Sequence, residues 1–345
     1  MSRTRSITRN RVLTGDARDL LATIPDHSVD MVLTSPPYFR LRDYDVSGQF
    51  GTEAHIDGWV EHLHDVCTQL RRTLIPTGTL WLNLGDTYAT HKSQGAARKS
   101  LLLGPERLVR ALVADGWHLR NKIIWQKTNP VPTSVTDRLT STWEVIYLLS
   151  LNSHYYFDLD SIRAPHTSRP PNPRSERPGT GSREPWRGSN TIATTGLNEL
   201  KRLGCAGHPL GKNPGDVWAL ATTRTGKGHH AAYPLSLAQR AVRAGCPEAR
   251  CQACRAPWRR ALVRHEDGSA TRMPLAPTCR CQALSEPGLV LDPFLGTGTT
   301  AVAAEQLARD WLGIELNPRF TAMAEQRIAD ARAGHAPTAR GSPAA

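Results

Sequence analysis

An alternation runs through this chain and governs what it can become. Short, nearly continuous apolar runs recur along it, with helically periodic segments between them. Runs of strand character lie at Arg11 to Thr14, Val29 to Thr34, Thr79 to Leu84, Leu119 to Gln126, Trp143 to Ser150, Gly288 to Leu291 and Trp311 to Glu315. Near-continuous apolar patterning marks strands buried on both faces, as in parallel sheets covered by helices on each side. Helical periodicity fills Ile56 to Leu74, Leu101 to Ala114, Leu235 to Ala244, Thr299 to Ala308 and Pro318 to Ala331. Strand alternating with helix reads as an α/β, doubly wound, mostly parallel sheet. No helical segment separates Leu119–Gln126 from Trp143–Ser150, so these two are expected to pair as antiparallel neighbours at one side, making the sheet mixed.

Composition refines this. The apolar fraction is 39%, with 25 Pro and 27 Gly, and the shortfall concentrates in irregular stretches. Residues 164–213 are dominated by Pro, Gly, Ser and Arg, which bury too little apolar surface to offset chain entropy. A plain linker and a surface that orders on DNA both fit that segment. The Ala-, Pro- and Gly-rich tail after Ala333 is expected to be disordered. No run approaches the roughly 20 apolar residues of a membrane span, and Met1 to Arg11 lacks a signal peptide's apolar core, so a cytoplasmic protein without membrane contact is expected. The formal charge of +12 favours a polyanionic partner, because Lys and Arg gain affinity for phosphates by releasing counterions.

Leu289-Val290-Leu291-Asp292-Pro293-Phe294-Leu295-Gly296-Thr297-Gly298-Thr299-Thr300 reads as a buried strand, a tight glycine turn and a helix start. Gly296 and Gly298 permit backbone angles and close approaches that a Cβ would block, so a ligand can sit at the strand's carboxyl end. Asp310 to Glu315 is a second short strand ending in an acid, the position from which nucleoside-binding sheets hydrogen-bond ribose hydroxyls. A P-loop is excluded, since no lysine stands where it would reach phosphates. A dinucleotide site stays open at this point.

Val29 to Leu33 is a buried strand running into Thr34-Ser35-Pro36-Pro37-Tyr38. Two prolines fix φ and remove two donors, which stiffens the loop and leaves the Ser35 and Pro36 carbonyls free to accept. A rigid row of acceptors beside an aromatic ring suits a flipped-out base held by its amino group, with Tyr38 stacking on the base. Such an exocyclic nitrogen is a poor nucleophile because its lone pair is conjugated. Acceptors on its two hydrogens turn that lone pair toward in-line attack on a methyl donor.

With Thr-Ser-Pro-Pro-Tyr upstream and Asp-Pro-Phe-x-Gly-x-Gly-Thr-Thr downstream, the chain resembles the beta-class DNA amino-methyltransferases, whose catalytic motif precedes the cofactor motif. The resemblance implies a Rossmann-like, seven-stranded methyltransferase fold with circularly permuted motif order. It assigns Ser35, Pro36, Pro37 and Tyr38 to catalysis. It assigns Asp292, Pro293, Phe294, Gly296, Gly298 and Thr299 to S-adenosyl-L-methionine, Glu315 to its ribose and Asp16 to its adenine. Gly228-His229-His230-Ala231 resembles the motif beside the methionine moiety, with His230 where an aromatic is usual. Asn121 to Lys127 matches the strand lining the target-base pocket, and residues 164–213 occupy the place of the target-recognition region. Double-stranded DNA is the implied partner, with a cognate restriction endonuclease a further one. Ser at the first motif position points to the N4 amino group of cytosine, the alternative being adenine N6. A cytosine-C5 enzyme would need a nucleophilic cysteine in a setting this chain lacks.

Cys251-Gln252-Ala253-Cys254 and Cys279-Arg280-Cys281 hold four of the seven cysteines. Four thiolates in two close pairs suit a filled tetrahedral zinc, a structural site, against the alternative of free thiols. Cys246 is a spare ligand. The resulting organisation is a catalytic half at 1–163, target recognition at 164–213, a return to the methyltransferase domain at 214–245, a zinc-binding Cys-rich insertion at 246–286, an S-adenosyl-L-methionine half at 287–332 and a tail at 333–345.

Overall fold

The computed structural model describes residues 7–166, 208–222, 233–265 and 269–335. In chain order the elements are β1 (Arg11–Thr14), α1 (Ala17–Thr23), β2 (Val29–Thr34), α2 (Ile56–Thr73), β3 (Leu74–Leu84), α3 (Gly104–Ala114), β4 (His118–Lys127), β5 (Trp143–Ser150), β6 (Val217–Leu220), α4 (Leu235–Gly245), β7 (Arg250–Cys251), β8 (Arg259–Arg264), β9 (Ala270–Ala276), β10 (Ser285–Glu286), β11 (Leu289–Asp292), α5 (Thr299–Gln306), β12 (Asp310–Glu315) and α6 (Pro318–His335).

Eight strands form the main sheet in the order β1-β12-β11-β2-β3-β5-β4-β6. All neighbours are parallel except those of β5, which runs antiparallel to both β3 and β4. The mixed, doubly wound sheet and the antiparallel β4–β5 pair are as the pattern predicts. The count is eight rather than seven. The added strand β6 is four residues, Val-Trp-Ala-Leu, with one buried side chain, and it joins the sheet at its edge beside β4.

Burial explains the order. Every residue of β2 and of β11 is buried, so these strands take central places. Helix α2 buries Ile56, Trp59, Leu63, Val66, Cys67 and Leu70, the three- and four-residue spacing of one helical face. It packs with α1 and α3 in one layer, while α4, α5 and α6 pack in another. Helix α1 went unread in the sequence, although Asp16 caps it by accepting from the Arg18 amide at 2.8 Å, the standard repair for an orphan helix donor.

Among the described residues, 7–158, 215–222, 233–258 and 277–335 form one compact unit that contains the sheet. Residues 159–166, 208–214, 259–265 and 269–276 form a second. Within the second, Ala164 and Lys212 form a two-way backbone bridge, Arg163 pairs with Asp160 at 2.6 Å, and β8 and β9 make an antiparallel hairpin. That hairpin lies where the sequence suggested only polar chain between cysteine pairs. No helix among the described residues is long and apolar enough to cross a membrane.

Candidate active site

The carboxyl ends of the parallel strands open on a cavity of about 920 Å³. Sheets of this kind bind ligands where the winding direction changes, here between β2 and β11. Ser35, Pro36, Pro37 and Tyr38 follow β2 onto the wall, and Asp292, Pro293, Phe294, Gly296 and Thr299 come from the turn after β11. Glu315 closes β12, and Asp16 stands between β1 and α1, both also on the wall. Gly298 is outside the lining set and caps α5 with φ 85°, a left-handed angle that favours glycine. His230 lies outside the described residues, as do residues 167–207 of the expected recognition region.

Asp292 is a buried junction. Its Oδ1 accepts from Thr34 Oγ1 at 2.7 Å and from the Phe294 amide at 3.0 Å. Its Oδ2 accepts from Thr300 Oγ1 at 2.5 Å and lies 3.4 Å from the Tyr233 hydroxyl oxygen. Tyr233 also lies 2.5 Å from Thr300 Oγ1. Thr300 donates its one proton to Asp292 and Tyr233 its own to Thr300, so three protein donors hold the two Asp292 oxygens. Burial pushes the Asp292 carboxyl above its ordinary range, against these donors. The strand carrying the Ser-Pro-Pro-Tyr loop is thereby tied to the strand carrying the glycine turn.

Glu315 turns both oxygens onto backbone amides, Oε2 accepting from Gly296 and Oε1 from Asn317, each at 2.8 Å. This clamps the glycine turn and leaves lone pairs for hydroxyl donors. Burial raises its pKa. Asp16 is held by the Arg18 guanidinium at 2.6 Å, and that hydrogen bond lowers its pKa. Arg18 lies over the Phe50 ring at 5.2 Å, and Phe50 meets Phe294 edge-on at 5.3 Å, giving this side of the cavity an aromatic wall with acids at its rim.

On the other side, Pro37 gives its carbonyl to Trp59 Nε1 at 2.9 Å. The Ser35 and Pro36 carbonyls accept no hydrogen bond from the described residues. Tyr38 donates to Glu144 Oε2 at 2.6 Å and lies 3.3 Å from Ser35 Oγ. Lys127 Nζ meets the other Glu144 oxygen at 2.6 Å. Burial, then the Glu144 carboxylate, push the Tyr38 phenol well above its usual range. The Tyr38 ring rests on Gly85, where a Cβ would come within 2.6 Å of Cε2.

Sequence reading missed Glu144. It is the second residue of β5, and because β5 runs antiparallel its first residues reach this edge of the sheet. The available signal was an acid at the start of an otherwise apolar strand.

The four paired cysteines also meet. The Sγ atoms of Cys251, Cys254, Cys279 and Cys281 all lie within 4.8 Å of one another. The spare candidate Cys246 stands apart, buried against Pro247.

Comparison with known proteins agrees with the geometry. The N6/N4 methyltransferase family model, described as DNA methylase, matches residues 29–326. The Type II methyltransferase M.SmaI of Serratia marcescens is 32% identical, over 92% of this chain and 90% of its own. M.Cfr9I of Citrobacter freundii, also a Type II methyltransferase, is 27% identical over 91% and 86%. Among solved structures, the PvuII DNA methyltransferase (cytosine-N4-specific) superposes with TM-score 0.57 at 15% identity, covering 94% of this chain and 92% of its own. A Thermus thermophilus protein solved with S-adenosyl-L-methionine does so with TM-score 0.50 at 23% identity, covering 93% and 95%. These two likenesses establish the fold, and the family match covers most of the chain: the protein belongs to the N6/N4 DNA methylases, a family of DNA amino-methyltransferases.

Proposed function

We propose that this chain transfers the methyl group of S-adenosyl-L-methionine to the N4 amino group of cytosine in duplex DNA, by direct transfer to a flipped-out base. The observation that carries the reading is the meeting of the Ser35 loop and the Asp292 turn on one cavity, joined by the 2.7 Å Thr34–Asp292 hydrogen bond.

The cavity fits the cofactor by the chemistry of its donors and acceptors. Asp16 and Glu315 are acids suited to the amino and hydroxyl donors of a nucleoside, Phe294 offers an apolar face, and Gly296 at φ 55° keeps the turn open. Asp292, with both oxygens held by protein donors, acts by holding Thr34 and Phe294 in place. When bound, S-adenosyl-L-methionine supplies an electrophilic methyl group on a sulfonium sulfur.

Ser35 Oγ and the Pro36 carbonyl, which accepts no hydrogen bond from the described residues, accept hydrogen bonds from the two amine hydrogens of the base and turn its lone pair out of conjugation. As the nitrogen gains the methyl group it releases one of these protons to solvent. By resemblance to the family, in which Ser at this position goes mostly with cytosine N4 and Asp with adenine N6, Ser35 favours cytosine N4. Residues 164–213 and the excess positive charge are assigned to DNA contact, with phosphates fixing register and base edges giving specificity. The recognition of a duplex site leaves a cognate endonuclease as the partner class. The Cys251, Cys254, Cys279 and Cys281 thiolates are assigned to a structural zinc ion, matching soft ligands to a tetrahedral metal.

The test is incubation of the purified chain with methyl-labelled S-adenosyl-L-methionine and duplex DNA of mixed sequence. Label in N4-methylcytosine supports the proposal. Label in N6-methyladenine replaces the base assignment, and unlabelled DNA overturns the activity.

A further inference from the structure

Arg250 is fully buried, which a guanidinium tolerates only with partners around it. It sits on β7, two residues long and paired with the equally short β10. Its Nε meets Glu286 Oε1 at 2.9 Å, and its Nη1 reaches Asp30 Oδ2 at 2.5 Å and the Ser28 carbonyl at 3.0 Å. The same Asp30 oxygen accepts the Leu289 amide at 2.7 Å. Arg250 therefore closes a link across the amino-terminal ends of β2 and β11, the strands whose carboxyl ends carry Ser35 and Asp292.

Arg9 and Arg255 also hold Glu286, at 2.7 and 3.0 Å, but the Arg250–Asp30 end of the link is incompletely satisfied. Arg250 Nη2 and Asp30 Oδ1 are buried without a hydrogen-bond partner among the described residues. In a buried ion pair with unmatched groups the desolvation cost can exceed what the attraction returns. Two paired residues form too small a strand pair to hold it. What stands beside it is the cysteine cluster. Cys251 follows Arg250 and is in register with Ser285, next to Glu286. The backbone is already folded for ligation, with the Arg255 amide donating to the Cys251 carbonyl at 2.9 Å and the Gln252 amide to that of Leu284 at 3.0 Å. Zinc–sulfur bonds of about 2.3 Å set tetrahedral sulfurs about 3.8 Å apart, compatible with four Sγ atoms that all lie within 4.8 Å.

We infer that zinc held by these four thiolates is the fastener that keeps Arg250 inserted, and that through Arg250 it sets the pairing of β2 with β11 beneath the active site. The inference rests on the zinc assignment above and adds a consequence that zinc binding alone does not entail.

The experiment is metal analysis of the full chain with hydrogen exchange of peptides covering 28–34 and 288–292, before and after zinc removal by a thiol-reactive mercurial and a chelator. The expected result is about one zinc per chain and, on removal, roughly tenfold faster exchange in those two peptides, with β4 and β5 little changed. Arg250→Leu should keep its zinc yet show the same acceleration. Cys281→His should keep both metal and native exchange, and Cys281→Ala should lose both. Absence of zinc overturns the metal assignment and the inference together. Zinc present, but with exchange unchanged on its removal or accelerated uniformly across the sheet, overturns the inference and leaves the metal assignment standing.

Discussion

Thr34 Oγ1 donates a buried 2.7 Å hydrogen bond to Asp292 Oδ1, joining residues 258 positions apart at the ends of adjacent parallel strands. Through this bond the acceptor loop and the cofactor turn are one rigid assembly. Thr34→Val keeps the shape and removes the donor, leaving Asp292 short of a partner in a buried setting. Unfolding stability should fall by roughly 1–3 kcal/mol, with cofactor affinity and turnover reduced together. Urea unfolding with a cofactor titration measures both. Unchanged stability would show that the Thr34–Asp292 bond does not tie the two strands.

Ser35→Ala removes the hydroxyl proposed to accept from the base amine in the transition state while leaving the Asp292 turn and Glu315 intact. The rate of methyl transfer should drop about 100-fold or more, with the cofactor dissociation constant within about twofold of the parent. Single-turnover kinetics and calorimetry separate the two, and equal losses in both would remove Ser35 from the chemistry.

The Tyr38 phenol faces the Glu144 carboxylate at 2.6 Å, and its pKa is raised well above the ordinary value, by burial first and Glu144 second. It should therefore stay protonated through about pH 10, where a free tyrosine is half ionised. Because the folded pKa is the higher one, this group's stabilising effect is full at neutral pH and is lost only as pH rises beyond the ordinary tyrosine range. In Glu144→Gln the Tyr38 transition should move down toward that range, read as a difference in ultraviolet absorbance against Tyr38→Phe. An unmoved transition would show that Glu144 does not govern the phenol.

Asp30, buried beside Arg250, with Arg255 and Glu286 also acting on it, has its carboxyl raised to about 6 because burial outweighs the Arg250 charge. Between about pH 4 and pH 6 the folded chain holds a proton that the unfolded chain releases, so this contribution to stability shrinks as pH rises and is gone above about pH 6. Asp30→Asn lacks the titration. The stability of the parent minus that of the variant should fall by about 1–3 kcal/mol from about pH 4 to pH 7, measured by denaturant unfolding at each pH. A difference that grows over that window would reverse the sign and refute the assignment.

Legibility in the sequence followed locality. The Ser35 loop and the Gly296 turn are contiguous, and each carries its reason in adjacent residues: prolines that stiffen, glycines that admit left-handed angles. Strand burial showed itself in β2 and β11 as near-continuous apolar runs, interrupted in β2 by Asp30. What stayed hidden depends on partners far along the chain. Glu144 meets Tyr38 across 106 positions and Arg250 meets Asp30 across 220, and neither the acid opening β5 nor the acid inside β2 names its partner. Strand β6 stayed hidden because it is an edge strand with only Trp218 buried and no helical pattern leading into it, and the β8–β9 hairpin because Arg259, Arg260 and Arg264 mask its alternation.

If Ser35 directs methyl transfer to the N4 amino group of cytosine, the modified base itself will report it. Nucleoside mass spectrometry of DNA from a host lacking its own methyltransferases, and expressing either the parent chain or Ser35→Ala, reads that base without intermediate steps. The expected result is N4-methyldeoxycytidine with the parent and its near absence with the variant. N6-methyldeoxyadenosine in its place, or equal N4-methyldeoxycytidine from both, would overturn the role of Ser35.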